Sequence, residues 1–88
     1  PDRMTLLTTG RFSPEKGLLD LLDAMPLILR NVPDFQLVMV GDGPQRAELE
    51  KRRSELNLDD RVLMPGAVQN VEPCLRAADL YVLPSRFE

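Results

Sequence analysis

A glycine and two cations follow the first apolar segment of the chain at spacings that suit an anion. The segment ends at Gly10, Arg11 follows at once, and Lys16 comes five residues later, beyond a Ser-Pro pair that favours a helix start. Helix N-termini offer free N–H donors, arginine a planar fork and lysine a point charge, all of which suit phosphate oxygens. The competing interpretation is that Arg11 and Lys16 are solvated loop charges, and this stretch by itself leaves both open.

The composition removes several classes of function. The chain has 88 residues, a net charge of −3 and dispersed lysine and arginine, which argues against a nucleic-acid-binding protein. It has no histidine, so a histidine-based triad is impossible and we expect no metal site. Cys74 is its single cysteine, which favours a reducing compartment and packing as a small hydrophobe.

The sequence shows no recognisable membrane-spanning or secretion signal. No apolar run approaches the ~18 residues that span a membrane, and no signal peptide is visible. We therefore expect a cytoplasmic protein, peripheral at the inner membrane face at most. The start at Pro1 and the end at Glu88 lead us to expect a piece of a longer protein.

The hydrophobic pattern predicts three strand–helix units and a fourth strand. Met4–Thr9 and Phe35–Val40 are predicted strands, the second almost continuously apolar, as in sheets covered on both faces. Helical spacing follows Ser13 and Pro14, which should cap and open the first helix, and Pro26 should kink it. The remaining predictions are a helix at 44–56, a strand at 61–64, a short helix at 71–78 capped by Asn70 and a strand at 79–83.

This alternation predicts an α/β fold: a partial doubly wound, Rossmann-like parallel sheet of four strands in order 3-2-1-4 with three helices. Ligands of such sheets bind beyond the carboxyl ends of the strands where the order reverses, here between strands 1 and 4. The loops there carry Gly10, Arg11 and Lys16 on one side, and Arg86 and Glu88 on the other. This placement favours the phosphate interpretation and makes Glu88 a candidate acceptor of hydrogen bonds from ligand hydroxyls.

Other polar and turn residues have structural interpretations. Residues 41–44, Gly-Asp-Gly-Pro, lack the Walker lysine and the full dinucleotide glycine pattern, so we interpret them mainly as a turn and helix start. Ser85 is no nucleophile elbow, because glycines do not flank it. Phe12 is expected in the core, and Glu48 and Arg52 should form an i,i+4 pair. Other predicted core positions are Met25, Met39, Ala47, Leu49, Leu56, Leu58 and Met64.

Taken together, the motifs resemble glycosyltransferase family 4, the retaining sugar-nucleotide transferases of two-Rossmann-domain (GT-B) architecture. They occur in the family's order and cover nearly the whole chain. The segments that carry the resemblance are residues 10–12 with Lys16 and Gly17, residues 40–44 (VGDGP), residues 62–66 (VLMPG), and residues 78–85 (ADLYVLPS) followed by Glu88.

The resemblance implies a site for a nucleotide-diphosphate sugar. Arg11 and Lys16 would bind the diphosphate beside Gly10, Val68 would lie near the base, and Glu88 would face the donor sugar. It implies no metal cofactor, since the two cations take over its role. The chain would be the first half of the carboxy-terminal donor domain of a hexosyltransferase in carbohydrate biosynthesis. The acceptor (a glycan, lipid or small molecule), the acceptor domain and a second glutamate would lie outside it.

Two other classes stay open as alternatives. A receiver-like signalling module would need acidic residues after strand 1 and an aspartate ending strand 3, where the chain has Gly10, Arg11 and Pro65. A generic dinucleotide-binding half would need the missing glycine fingerprint. We also expect the 88 residues alone to lack transferase activity. Residues 80–83 would be an uncovered apolar edge, so we expect self-association as well.

Overall fold

The computed structural model describes residues 4–67 and 79–81, which form a parallel sheet with two α-helices. The predicted α/β class is confirmed. The elements in chain order are β1 (Met4–Thr9), a 3-10 turn (Pro14–Lys16), α1 (Leu18–Asn31), β2 (Phe35–Val40), α2 (Arg46–Glu55), β3 (Val62–Gly66) and β4 (Leu80–Tyr81).

All strand pairs are parallel, and the order is β3-β2-β1-β4. β1 and β2 stay in register from Met4 opposite Phe35 to Thr9 opposite Val40. Their carboxyl ends therefore deliver the two following loops to the same edge of the sheet. The fourth strand is described only as Leu80–Tyr81, and the predicted helix at 71–78 lies outside the described residues.

One face of the sheet packs against both helices and forms the core. Alternate residues of β2 point into it, because side chains of a strand alternate between faces. The predicted core residue Ala47 is exposed, since it lies two residues from buried Leu49 and so about 200° round the helix. The cluster comprises Leu6, Phe12, Leu18, Leu22, Met25, Phe35, Leu37, Met39, Leu49, Leu58, Val62 and Met64, with Leu56 partly buried against it.

Both helices begin later than predicted. Pro14 opens a 3-10 turn, and Gly17 at φ 69° then ends that turn and caps α1, which starts at Leu18. The Ser13 hydroxyl donates to the Glu15 carboxylate at 2.8 Å and makes no capping hydrogen bond. α2 starts at Arg46, directly after a turn at residues 44 and 45. In both places proline fits a turn as well as a first helical residue, so the sequence signal was correct for the region and wrong for the start.

The predicted Glu48–Arg52 pair does not form. Arg52 donates to Asp23 of α1 at 2.7 Å and to Glu55 at 3.2 Å, whereas Glu48 accepts from the Gln45 amide at 3.3 Å. Arg52 reaches across to the neighbouring helix because α1 and α2 lie side by side on the same face of the sheet. None of the helices in the described part of the chain is both long and apolar enough to cross a membrane.

The predicted third strand ends at Met64, but β3 continues through Pro65 and Gly66. Proline is tolerated there because β3 is an edge strand. The Gly66 carbonyl accepts the Gly41 N–H at 3.0 Å, which ties the end of β3 to the loop after β2. The loops that follow β1, β2 and β3 are thereby brought to one corner of the sheet.

Candidate functional site

An open cleft of about 290 Å³ lies beyond the carboxyl ends of β1, β2 and β3. It occupies the edge of the sheet at which the sequence predicted a ligand. Arg11 is the cation among its walls, and Gly10 is beside it. The lining residues are Thr9, Gly10, Arg11, Val40, Gly41, Asp42 and Ala67.

The backbone of Arg11 stands between two hydrogen-bonded neighbours. The Gly10 N–H donates to the last carbonyl of β2 at 3.0 Å, and the Phe12 N–H donates to the Asp42 carbonyl at 2.9 Å. The Phe12 side chain is buried in the core, as predicted, with 1% of its surface exposed. Arg11 itself is exposed. The result is a fixed main chain that presents a solvent-accessible guanidinium at the cleft.

The loop after β2 approaches this segment backbone to backbone. Gly41 has φ +146°, and a Cβ there would overlap the Gly10 carbonyl. Gly43 has φ +156°, and a Cβ there would lie 2.7 Å from the carbonyl oxygen and 2.8 Å from the nitrogen of Phe12. Only glycine fits both the torsion angles and the space. Residues 41–43 therefore form a loop that packs directly on the Arg11 segment, and the turn predicted there lies at residues 44 and 45 instead.

Lys16 lies at the end of the 3-10 turn, half-buried and outside the residues that line the cleft. Glu15 shows that the two cations share one neighbourhood. The pKa of the Glu15 carboxyl is lowered by its backbone hydrogen bond, by the Ser13 hydroxyl, and then by the positive charges of Lys16 and Arg11. Both charges favour the ionised form of this exposed carboxyl, though more weakly than its two hydrogen bonds do.

The side chains of Arg11 and Lys16 make no hydrogen bond or ion pair with residues 4–67 or 79–81. Their donors are thus available to a ligand as far as the described chain is concerned. Within the same ranges no three carboxylate or thiol side chains cluster as a metal site would require. The other candidate residues, Val68, Cys74, Ser85, Arg86 and Glu88, lie outside the described residues.

Sequence reasoning missed that Asp42 and Gly43 support the Arg11 segment. The glycine pair that flanks Asp42 was a visible signal of close backbone approach. Its target was not visible, because the register that sets Thr9 opposite Val40 is a tertiary feature. Thr9 and Ala67 were likewise missed as lining residues.

A comparison with protein families identifies the family of the chain. Residues 3–88 match the model of the family described as glycosyl transferases group 1. The chain belongs to this family. Its membership confirms the resemblance drawn from the motifs and decides against the receiver-like and generic dinucleotide-binding alternatives.

Individual relatives extend the comparison. The chain is 37% identical over 89 residues to alpha-D-kanosaminyltransferase of Streptomyces kanamyceticus, covering 99% of this chain and 23% of that protein. It superimposes on the C-terminal domain of a glycosyl transferase group 1 family protein, LpcC, from Francisella tularensis with a TM-score of 0.85 at 25% identity, covering 100% of this chain and 49% of that one. Anabaena HepE in complex with UDP gives a TM-score of 0.82 at 26% identity, covering 96% and 24%. The chain thus spans about a quarter of the length of the curated relatives it matches.

Proposed function

We propose that this chain is part of the donor-binding domain of a glycosyltransferase and binds the diphosphate of a nucleotide-diphosphate sugar through Arg11 and Lys16. The carrying observation is the exposed Arg11 guanidinium at the cleft beyond the parallel strands, on a backbone held at Gly10 and Phe12. The similarity to HepE, whose structure contains UDP, supports a nucleotide diphosphate as the ligand class.

The chemistry of glycosyl transfer explains why cations are needed here. The bond between the anomeric carbon and the diphosphate oxygen breaks, and its electron pair leaves with the diphosphate. The anomeric carbon bonds to the acceptor oxygen, which loses its proton. Negative charge therefore grows on the departing group, and fixed cations stabilise it more in the transition state than in the ground state. Retention of stereochemistry is proposed on the family resemblance.

No metal ion is required in this proposal. Arg11 and Lys16 supply the positive charge that a divalent cation would otherwise give, and a chelator should leave turnover unchanged. We further propose that Val68 lies near the base and that Glu88 faces the donor sugar. The proposed acceptor is a glycan, a lipid or a small molecule held by a separate amino-terminal domain.

The rest of the domain is proposed on the same basis. Residues 1–88 would form the first half of the carboxy-terminal, Rossmann-like domain of a GT-B enzyme, with a fourth strand at 79–83 and a third helix at 71–78. The likeness to the C-terminal domain of LpcC supports this assignment. A cytoplasmic location is proposed from the single cysteine, Cys74.

Nucleotide binding tests the proposal in the full-length protein that carries this chain. Calorimetry with UDP, GDP and ADP should reveal binding of at least one. Arg11→Ala and Lys16→Ala should each weaken the tightest of them by about tenfold or more, the loss expected for one charge-assisted contact. Lys51→Ala is the control, because Lys51 is an exposed cation on α2 away from the cleft. Absence of binding, or equal small losses at all three positions, would overturn the proposal.

We also propose that the isolated 88-residue chain is catalytically inactive and self-associates. In the strand order β3-β2-β1-β4 the described residues Leu80–Tyr81 form the outer strand beside β1. Outer strands with unpaired backbone groups recruit other chains. Light scattering over a concentration series should show association. A monodisperse monomer, or turnover of a nucleotide sugar by the isolated chain, would contradict the corresponding half of this proposal.

A further inference from the structure

We propose that Asp42 and Gly43 are positioning residues for Arg11, acting through the backbone of Phe12. The inference rests on the proposed function, in which Arg11 contacts the donor diphosphate. It assigns the loop after β2 a role in donor binding without direct contact between Gly43 and the ligand.

The hydrogen bonds of Phe12 are the first line of support. Its N–H donates to the Asp42 carbonyl at 2.9 Å, and its carbonyl accepts the Gln45 N–H at 2.9 Å. Both partners belong to the segment between β2 and α2. Phe12 is also buried through its side chain, so its main chain is held on three sides. Arg11, one residue earlier, therefore has a backbone whose direction this segment sets.

The lack of space around Gly43 is the second line of support. A Cβ at this position would lie 2.7 Å, 2.8 Å and 3.1 Å from the carbonyl oxygen, nitrogen and carbonyl carbon of Phe12. All three are backbone atoms, so they cannot turn aside as a side chain would. Any larger residue at Gly43 must displace the Arg11 segment or the loop itself.

Asp42 stabilises the loop in a conformation that allows this approach. Its carboxylate accepts the Gly43 N–H at 2.8 Å, while its carbonyl accepts the Phe12 N–H. Aspartate and asparagine both close turns of this kind on the local backbone. The positioning role therefore needs an acceptor oxygen at Asp42 and does not need its negative charge.

Fixing the backbone matters because arginine is long and rotamer-rich. Binding then costs only the ordering of the side chain, and the guanidinium starts each encounter on the correct side of the cleft. A loop free to move would add its own ordering cost to every binding event. Displacement of about 1 Å in a positioning element is enough to weaken a catalytic interaction severely.

The test uses the full-length protein and the tightest binder among UDP, GDP and ADP. Gly43→Ala should weaken binding by about tenfold, the value of a lost charge-assisted contact. Gly66→Ala is the matched control: Gly66 also has a positive φ, +99°, but a Cβ there meets nothing within 4 Å. Gly66→Ala introduces torsional strain without a steric clash, and because the Gly66 carbonyl also accepts the Gly41 N–H, we expect a loss of affinity that is smaller than that of Gly43→Ala. Equal losses in the two variants would overturn the inference.

A double-mutant cycle separates positioning from general destabilisation. In an Arg11→Ala background, Gly43→Ala should change affinity by less than about twofold, because its route to the ligand has been removed. The same tenfold loss in both backgrounds would show that Gly43 acts elsewhere and would refute the inference.

Substitutions at Asp42 decide the matter even if Gly43→Ala fails to fold. Asp42→Asn keeps the acceptor oxygen and Asp42→Ala lacks it, so Asp42→Ala should bind the nucleotide several-fold more weakly than Asp42→Asn does. Equal losses in both would mean that the charge acts directly, and no loss in either would mean that the loop is not needed; each overturns the inference. If no nucleotide binds the unsubstituted protein, the proposed function fails and the inference falls with it.

Discussion

The cations of the cleft and the arginines of α2 are used in opposite ways. Arg11 and Lys16 make no hydrogen bond or ion pair within the described ranges 4–67 and 79–81, and it is the backbone around them that is held. In α2 the arginine side chains themselves make the hydrogen bonds that join one element to another. Arg46 donates to the Met64 carbonyl at 2.9 Å, and Arg53 donates to the Val62 carbonyl at 3.1 Å.

Arg46 and Arg53 of α2 cover an edge of the sheet. Val62 and Met64 belong to β3, an outer strand, and their carbonyls would otherwise face water or another chain. Arg46 also pairs with Glu50 at 2.9 Å. The comparison teaches that an arginine becomes structural where carbonyls and carboxylates lie within its reach. Where glycine loops do the holding instead, the guanidinium remains available for a ligand.

The largest expected difference between the two regions is in turnover. Lys16→Ala in the full-length enzyme should lower kcat on the order of 10²-fold or more, because a charge-stabilising group is lost in the transition state. Lys51→Ala on α2 should leave kcat unchanged. Steady-state kinetics with the nucleotide sugar measures both. Similar kcat values for the two variants would erase the distinction between cleft and helix cations.

The second difference is in stability, and here the larger effect is expected in α2 and not in the cleft. Arg46→Ala should lower the free energy of unfolding by about 1–2 kcal/mol, since it leaves the Met64 carbonyl without its charged donor. Glu50→Ala removes the ion pair alone and should cost less. Urea unfolding of the two variants gives the comparison. A larger loss for Glu50→Ala would show that the salt bridge, and not the strand carbonyl, is the important partner.

A smaller effect is expected at the exposed Asp23–Arg52–Glu55 cluster between the helices. The pKa of Arg52 is raised, first by its hydrogen bond from the guanidinium to Asp23 and then by that to Glu55. All three side chains are well exposed, so solvent and salt screen their attraction. Arg52→Ala should destabilise the fold less than Arg46→Ala does. The difference between Arg52→Ala and the unsubstituted protein should vanish in high salt, and persistence there would contradict this view.

The smallest effect is a pH dependence at Glu15. Its pKa lies below the ordinary value of 4.5, chiefly because of its backbone hydrogen bond and the Ser13 hydroxyl. A lowered folded-state pKa adds stability above the unfolded pKa, and this contribution is lost as pH falls through the folded value. The stability difference between the protein and Glu15→Gln should therefore be constant near pH 7 and shrink below pH 4.5. A difference that grows on acidification would show the sign to be wrong.

Sequence patterns predicted the strands better than the helix starts. Met4–Thr9 and Phe35–Val40 were predicted at their observed bounds, since an apolar run ended by glycine has few alternatives. Pro14 was predicted to open α1, but it opens a 3-10 turn, because proline's fixed φ suits either structure. The Glu48–Arg52 pair failed for another reason: helical spacing predicts partners within a helix and is blind to Asp23 on its neighbour.

The sequence by itself determined the α/β class, the core residues Met25 and Met39, and the placement of Arg11 and Lys16 after the first strand. Local hydrophobic periodicity and turn chemistry suffice for these. Only the tertiary structure decided which loops meet and which cations are engaged. The approach of Gly43 to the backbone of Phe12 depends on the register between β1 and β2. That register is a pairing between two segments distant in sequence, so it is visible only in the folded structure. Long charged side chains choose partners by reach across packed elements, so their pairing exists only once the fold has formed.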